Sequence, residues 1–237
     1  MMKNYKTILI TGASSGIGRD ISIALMNKGH HVIGMARRKE KLNQLKSDFP
    51  ELFTALELDV TNTKTVIASR EEIKKKHQNI DVLINNAGIG LLGPLTEAPL
   101  EDWHTMADVN YKGLLSITHT YLPDLIESKG HLINIDSVAG HEVYPESVVY
   151  CSSKWAVRAL SLGIEKELRG KVKVTNISPG PVETEFPDQT NHARKAKEMK
   201  DYFKNVLTAE DITRSILFAI ESPEHVAINE LTIRPFK

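Results

Sequence analysis

The segment Tyr150-Cys151-Ser152-Ser153-Lys154 sets a phenol and an ammonium four residues apart. The apolar residues after it, Val157, Leu160, Ile164 and Leu168, recur at helical spacing and predict that a helix begins here. Residues four apart on a helix share a face, with Cβ atoms roughly 5–6 Å apart. A free phenol has a pKa of about 10 and is a poor base at neutral pH. A nearby ammonium favours the phenolate, so the pair is expected to pass a proton near neutrality. The same spacing also fits an ordinary surface Tyr/Lys contact, and the rest of the chain has to decide between the two.

A second chemically suggestive group is Thr11-Gly12-Ala13-Ser14-Ser15-Gly16-Ile17-Gly18. Its glycines are spaced Gly-x-x-x-Gly-x-Gly, after a short apolar run and before a helical pattern. Glycines permit a tight turn and close approach of backbone to a pyrophosphate, while the following helix aims its N-terminal amides at the negative charge.

The elements that must position these residues alternate along the chain. Strands are predicted at Thr7–Thr11, His31–Met35, Phe53–Leu58, Asp81–Asn85, His131–Ile135, Val172–Ile177 and Ala227–Ile233. Helical patterns lie between them, at 16–28, 39–46, 63–77, 101–125, 149–168 and 209–220. This rhythm predicts an α/β domain spanning 1–237, with about seven parallel strands and helices on both faces. Residues 181–205 lack a clear pattern, and their charge fits either a lid over a site, at about 185–205, or a solvated surface helix.

Composition narrows the function classes. The chain has 237 residues, 41% of them hydrophobic, and 30 basic residues balance 30 acidic ones. Zero net charge gives no support for a nucleic-acid surface. A single cysteine, Cys151, permits no internal disulfide and suits a reducing compartment. No apolar run approaches the ~18 residues of a membrane helix, and Ile8-Leu9-Ile10 is too short for a signal-peptide core. The expectation is a soluble, cytoplasmic protein. The nine histidines show no ligand spacing, and no catalytic metal is expected.

Taken together, the motifs resemble the short-chain dehydrogenase/reductase family. Thr11-Gly12-x-x-x-Gly16-Ile17-Gly18 is similar to its cofactor loop, and Asn85-Asn86-Ala87-Gly88 to its motif after the fourth strand. Asn110, Ser137, Tyr150 and Lys154 resemble its catalytic tetrad in type and order. Pro179-Gly180, with Val182 and Thr184 beyond, resembles its nicotinamide-side motif. More loosely, Ala36-Arg37-Arg38 and Asn229–Pro235 resemble the NADP-dependent 3-hydroxy acid (serine-type) dehydrogenase branch. The resemblance implies a Rossmann-type doubly wound fold, a homodimer or homotetramer built on the 101–125 and 149–168 helices, and a water-relay role for Asn110 through Lys154. Residue physics alone would make Asn110 a buried helix kink or cap.

The second strand bears on the choice of cofactor. NAD-binding domains usually end it in an acidic residue that binds the ribose 2′-OH. Here it ends in Arg37 and Arg38, whose guanidiniums suit a 2′-phosphate, so NADP(H) is expected over NAD(H). Arg37 is placed first and Arg38 second, because either could instead cap or solvate the next helix. Asp59-Val60 matches the position that meets the adenine, though Asp59 also suits a helix N-cap.

The expected reaction is hydride transfer between NADP(H) and a small alcohol or carbonyl compound: a secondary alcohol, ketone, aldehyde or 3-hydroxy acid. Tyr150 moves the proton, Lys154 lowers its pKa and holds the nicotinamide ribose, and Ser137 polarises the carbonyl oxygen. The pocket wall is expected from 139–147, 89–95 and 185–202. Asp136 stands where the family often has serine, and is expected to turn to the other face of the strand. His141 and Glu142 are expected at the loop surface, and Cys151 in packing. The competing class is a non-catalytic NADP-binding regulator or scaffold on the same fold.

Overall fold

The computed structural model describes residues 5–77, 79–204 and 206–236. Met1 to Asn4, Gln78, Asn205 and Lys237 lie outside the described residues, which takes in the last residue of the expected lid. The strands are β1 (Thr7–Thr11), β2 (His31–Ala36), β3 (Phe53–Glu57), β4 (Val82–Asn85), β5 (His131–Ile135), β6 (Lys173–Pro179) and β7 (Glu230–Ile233). They form one seven-stranded sheet in the order β3-β2-β1-β4-β5-β6-β7. Every pairing is parallel, as the alternation of elements predicts. The chain reverses direction across the sheet between β3 and β4, so β1 and β4 become neighbours. A crevice opens at such a switch point, beyond the carboxyl ends of the strands.

Alternation along the strands builds two cores. Ile8 and Ile10 of β1, with Val82 and Ile84 of β4, face α1 (Gly16–Asn27), α2 (Lys39–Asp48) and α8 (Ala209–Ile220). Leu9 and Leu83 face the other way, toward α3 (Thr63–Lys76) and α5 (Leu114–Ser128), where Ile73, Ile117, Tyr121 and Leu125 pack. Helices α4 (Leu100–Ala107), α6 (Val148–Glu167) and α7 (Ala193–Tyr202) complete the layers. Among the described residues no helix is long and apolar enough to cross a membrane.

The helical run predicted over 101–125 is present without a break, but between α4 and α5 it contains a π-helical turn, Asp108–Gly113. It carries Asn110, and such turns concentrate at functional sites. Residues 181–205, expected to form a lid or a solvated surface helix, do include a surface helix. The segment holds a 3₁₀ turn (Phe186–Gln189) and α7, whose first turn is capped by His192 Nδ1 accepting from Lys195 N at 3.3 Å. Only Met199 of α7 is buried, so the helix lacks the apolar stripe that reveals most helices. Strand β7 is shorter than the predicted Ala227–Ile233, beginning at Glu230.

His131, at the start of β5, is buried with Nε2 2.7 Å from Thr175 Oγ1, and burial pushes its pKa down to about 3. His30, His31 and His77 are also lowered, chiefly by burial. The folded protein keeps His131 neutral, whereas the unfolded chain protonates it below about 6.5. Stability is therefore lost as pH falls below about 6.5, and the loss continues until pH passes the folded value. Between neutrality and pH ~5 the expected loss from this group is about 2 kcal/mol. Urea titrations should show that loss in the wild type and a smaller one in His131→Asn; equal slopes would remove His131 from the acid response.

Candidate active site

A crevice of about 1820 Å³ lies over the carboxyl ends of the strands. Of the predicted site residues, all but Gly18 and Asn110 line it.

The glycine loop forms its floor. Gly12 and Gly16 have φ of +71° and +51°, the left-handed region that glycine enters without strain. At Gly12 a Cβ would also come within 2.8 Å of Asn86 Nδ2. That close approach is locked by hydrogen bonds. Asn86 N and Ala87 N both donate to Thr11 Oγ1 at 3.0 Å, and Asn86 Nδ2 donates to Thr11 O at 3.0 Å. The Asn86 amide is thus committed to the loop, and its backbone borders the crevice. Gly18 packs beneath the loop, where a Cβ would overlap the Gly12 carbonyl. Helix α1 then starts at Gly16. Its N-cap, Ser15, makes no side-chain cap bond, so the first amides face the crevice without an internal partner.

Two guanidiniums border the same crevice past β2. Arg37 is exposed and has no side-chain partner among the described residues. Arg38 stands at the N-cap position of α2, but its side chain makes no cap bond and turns to the glycine loop instead. Its Nε donates to Ser14 Oγ at 3.2 Å, its Nη2 to Ser14 and Ser15 Oγ, and its Nη1 to Glu185 Oε2 at 2.8 Å. Of the two arginines, Arg38 is the one that engages the glycine loop. Asp59 is not a helix N-cap. Its Oδ1 accepts from Thr61 N at 2.9 Å, whereas Asn62 caps α3.

The carboxyl end of β5 and the first turn of α6 bring the remaining groups together. Ser137 Oγ accepts from Ala139 N at 3.1 Å and opens a 3₁₀ turn. Tyr150 faces it from α6, with the Phe186 ring edge-on at 5.5 Å. Lys154, 6% exposed, donates from Nζ to Ile135 O at 2.8 Å and lies 5.8 Å from the centre of the Tyr150 ring. The expectation that Lys154 lowers the Tyr150 pKa is corrected here. Burial pushes the phenol well above its ordinary value, the Ser137 hydroxyl opposes this, and the Asp136 charge adds to it. Burial also lowers the Lys154 pKa, against the Asp136 charge.

Asn110 is buried and does not border the crevice. Its Oδ1 accepts from Ile89 N at 2.8 Å, while Nδ2 donates to Ile89 O at 2.9 Å and Ser153 Oγ at 3.2 Å. It bonds the residue beside Lys154 rather than Lys154 itself, and the π-helical turn fits the reading of a helix irregularity. Asp136 is buried but still borders the crevice, against the expectation that it turns to the other face of the strand. Its Oδ2 accepts from Asn176 Nδ2 at 3.2 Å, its Oδ1 has no partner, and burial raises its pKa. His141 and Glu142 leave the crevice, bonded to Ser178 (2.9 Å) and Arg234 (2.6 Å). Cys151 is buried.

The residues present fit a dinucleotide: a glycine cradle that a Cβ would fill, unpartnered helix amides, and two guanidiniums where a 2′-phosphate would need them. Among known protein families, the short chain dehydrogenase family matches residues 6–195. The chain belongs to that family.

This short-chain dehydrogenase is 40% identical to a serine 3-dehydrogenase of Rhizobium radiobacter over 97% of this chain and 93% of the relative. It is 38% identical to the NADP-dependent 3-hydroxy acid dehydrogenase YdfG of Escherichia coli, over 96% and 94% of the two chains. Among solved structures it is similar to the closed form of serine dehydrogenase complexed with NADP+, with a TM-score of 0.88 and 38% identity over 97% and 94% of the chains. These relatives lie in the branch that the sequence loosely resembles. As a member of the family, the protein is an oxidoreductase.

Three contacts of this short-chain dehydrogenase were not foreseen. Phe186 covers Tyr150, Gln189 Oε1 accepts from Gly90 N at 3.0 Å, and Lys41 reaches Glu185 at 3.5 Å. Each joins segments far apart in the chain. The one local hint was Gly90, where a side chain would overlap the Phe186 ring.

Proposed function

We propose that this oxidoreductase transfers a hydride between NADP(H) and a small alcohol or carbonyl compound, hydroxy acids included, with Tyr150 as general acid and base. The observation that carries the reading is that Ser137 and Tyr150 meet in the same crevice as the glycine loop and Arg38. When bound, the nicotinamide gives or accepts the hydride. The α1 amides and Gly12–Ile17 hold the pyrophosphate, Arg38 and Arg37 the 2′-phosphate, and Asp59 and Val60 border the adenine. Ala87, Gly88, Pro179, Gly180, Val182 and Thr184 flank the nicotinamide side. Ser137 Oγ hydrogen-bonds the substrate oxygen, and Tyr150 donates its proton there in reduction. Lys154, anchored on the Ile135 carbonyl, holds the nicotinamide ribose. Asn110 fixes the Ile89 loop and Ser153, and so positions α6 at Lys154.

The relatives support the cofactor and the substrate class: one is named for NADP-dependent action on 3-hydroxy acids and another for serine. Purified protein should consume NADPH, and NADH more weakly, with a member of a panel of ketones, aldehydes and oxo acids. Saturable NADPH binding without turnover on the whole panel would favour the scaffold reading instead.

The segment at about 185–205 acts as a substrate lid on a single domain. Phe186, Met199 and Phe203 line the crevice from this side. The assembly is a homodimer or homotetramer through the α4–α6 surface, where Leu100, Ile126, Trp155 and Leu162 are exposed. The single buried cysteine suits the reducing cytoplasm. Sedimentation equilibrium giving a monomer at micromolar concentration would contradict the assembly.

A further inference from the structure

Arg38 is the most heavily engaged cation at the crevice. Its planar fork presents five donors, and protein groups already take three directions. Ser14 and Ser15 hydroxyls take Nε and Nη2, and the Glu185 carboxylate takes Nη1 at 2.8 Å. Lys41, from the first turn of α2, adds a second cation 3.5 Å from the same carboxylate. Glu185 therefore occupies, with its own negative charge, the cation cluster that borders the end of β2. Arg38 in turn holds the Glu185 carboxyl below the usual carboxylate range.

We propose that Glu185 competes with the 2′-phosphate of NADP(H) for Arg38 and Lys41, and so limits how strongly the enzyme prefers the phosphorylated cofactor. The inference rests on the NADP(H) reading above and names a residue that sets its strength. A 2′-phosphate carries close to two negative charges, and a guanidinium cannot offer Nη1 to both anions without bringing them together. One must give way. NADH carries a neutral 2′-hydroxyl there and asks nothing of Glu185. Side-chain exposures of 45% for Arg38 and 51% for Glu185 mean that solvent screens the pair, so the effect is modest and depends on salt.

Position gives the competition a structural consequence. Glu185 immediately precedes the Phe186–Gln189 turn, and Phe186 lies against Tyr150. A phosphate that displaces Glu185 frees the residue next to the one covering the phenol. The phosphate end of the crevice is thereby linked to its substrate end through a single peptide unit.

The test is fluorescence titration of the full-length protein with NADPH and NADH at low salt, for the wild type, Glu185→Gln and Glu183→Gln. Glu183 is exposed on the same segment and does not border the crevice, so its variant makes the same change in net charge. Glu185→Gln should tighten NADPH on the order of five-fold while NADH stays within about two-fold, and the gain should shrink as salt rises. Glu183→Gln should leave the NADPH/NADH ratio as in the wild type. An unchanged ratio in Glu185→Gln, weaker NADPH binding, or an equal gain in Glu183→Gln would overturn the proposal. The wild-type ratio separately judges the NADP(H) reading. A wild type that favours NADH would sink that reading, and the change made by Glu185→Gln would still decide the competition.

Discussion

Replacing Tyr150 with phenylalanine is expected to lower turnover by at least about 10²-fold, the size of a lost general acid, with NADPH affinity unchanged within about two-fold. The substitution removes one oxygen and leaves the ring, so the edge-on contact with Phe186 at 5.5 Å persists and the crevice keeps its shape. In the proposed mechanism the phenol is the donor, and burial holds it protonated. With its pKa raised well above the ordinary value, Tyr150 is an acid throughout the neutral range. Carbonyl reduction should then be flat through neutrality and fall only at high pH. Alcohol oxidation, which needs the phenolate, should climb with pH over the same range. Rates measured in both directions against pH, with NADPH affinity measured alongside, check the whole argument. Unaltered turnover in the phenylalanine variant would remove Tyr150 from the mechanism.

The second large effect concerns Arg38. Hydrogen bonds from a charged donor are worth about 1.5–3 kcal/mol each. Arg38→Asp removes such bonds and sets a carboxylate in their place, so NADPH affinity should fall by about 10²-fold, with NADH affected only a few-fold. Arg37→Asp should move the same preference less, because the Arg37 side chain is exposed and holds no protein partner among the described residues. Measuring the NADPH/NADH ratio for both variants ranks the two arginines. If neither variant alters the ratio, the 2′-phosphate is read by other groups.

Much of the fold was legible because its signals are local. Ile8 and Ile10 alternate with Leu9 along one strand, and α8 carries Ile212, Ile216 and Ile220 at helical spacing. The site was legible for a related reason. The glycine loop, Asn86–Gly88, Ser137 and the Tyr150/Lys154 pair each sit at a junction that the strand–helix rhythm predicts, so their convergence followed once the sheet was parallel. Helix α7 was legible only as one of two readings, because its buried face is one methionine wide and it is capped by His192 with an Arg194–Glu198 pair at 2.7 Å. A helix irregularity at Asn110 was legible, but its bonds to Ile89 and Ser153 join groups that meet only after folding.

Residue order alone sufficed for the parallel sheet, the glycine loop and the Tyr150/Lys154 spacing, since periodicity and turn chemistry act over a few residues. Packing decided the rest. The sign of the Tyr150 pKa shift follows from desolvation beneath Phe186 and beside Asp136, which no four-residue spacing reports. The hold of Glu185 on Arg38 joins residues 147 positions apart. Burial and long-range charge pairing depend on which distant segments are pressed together, and that is a property of the folded chain.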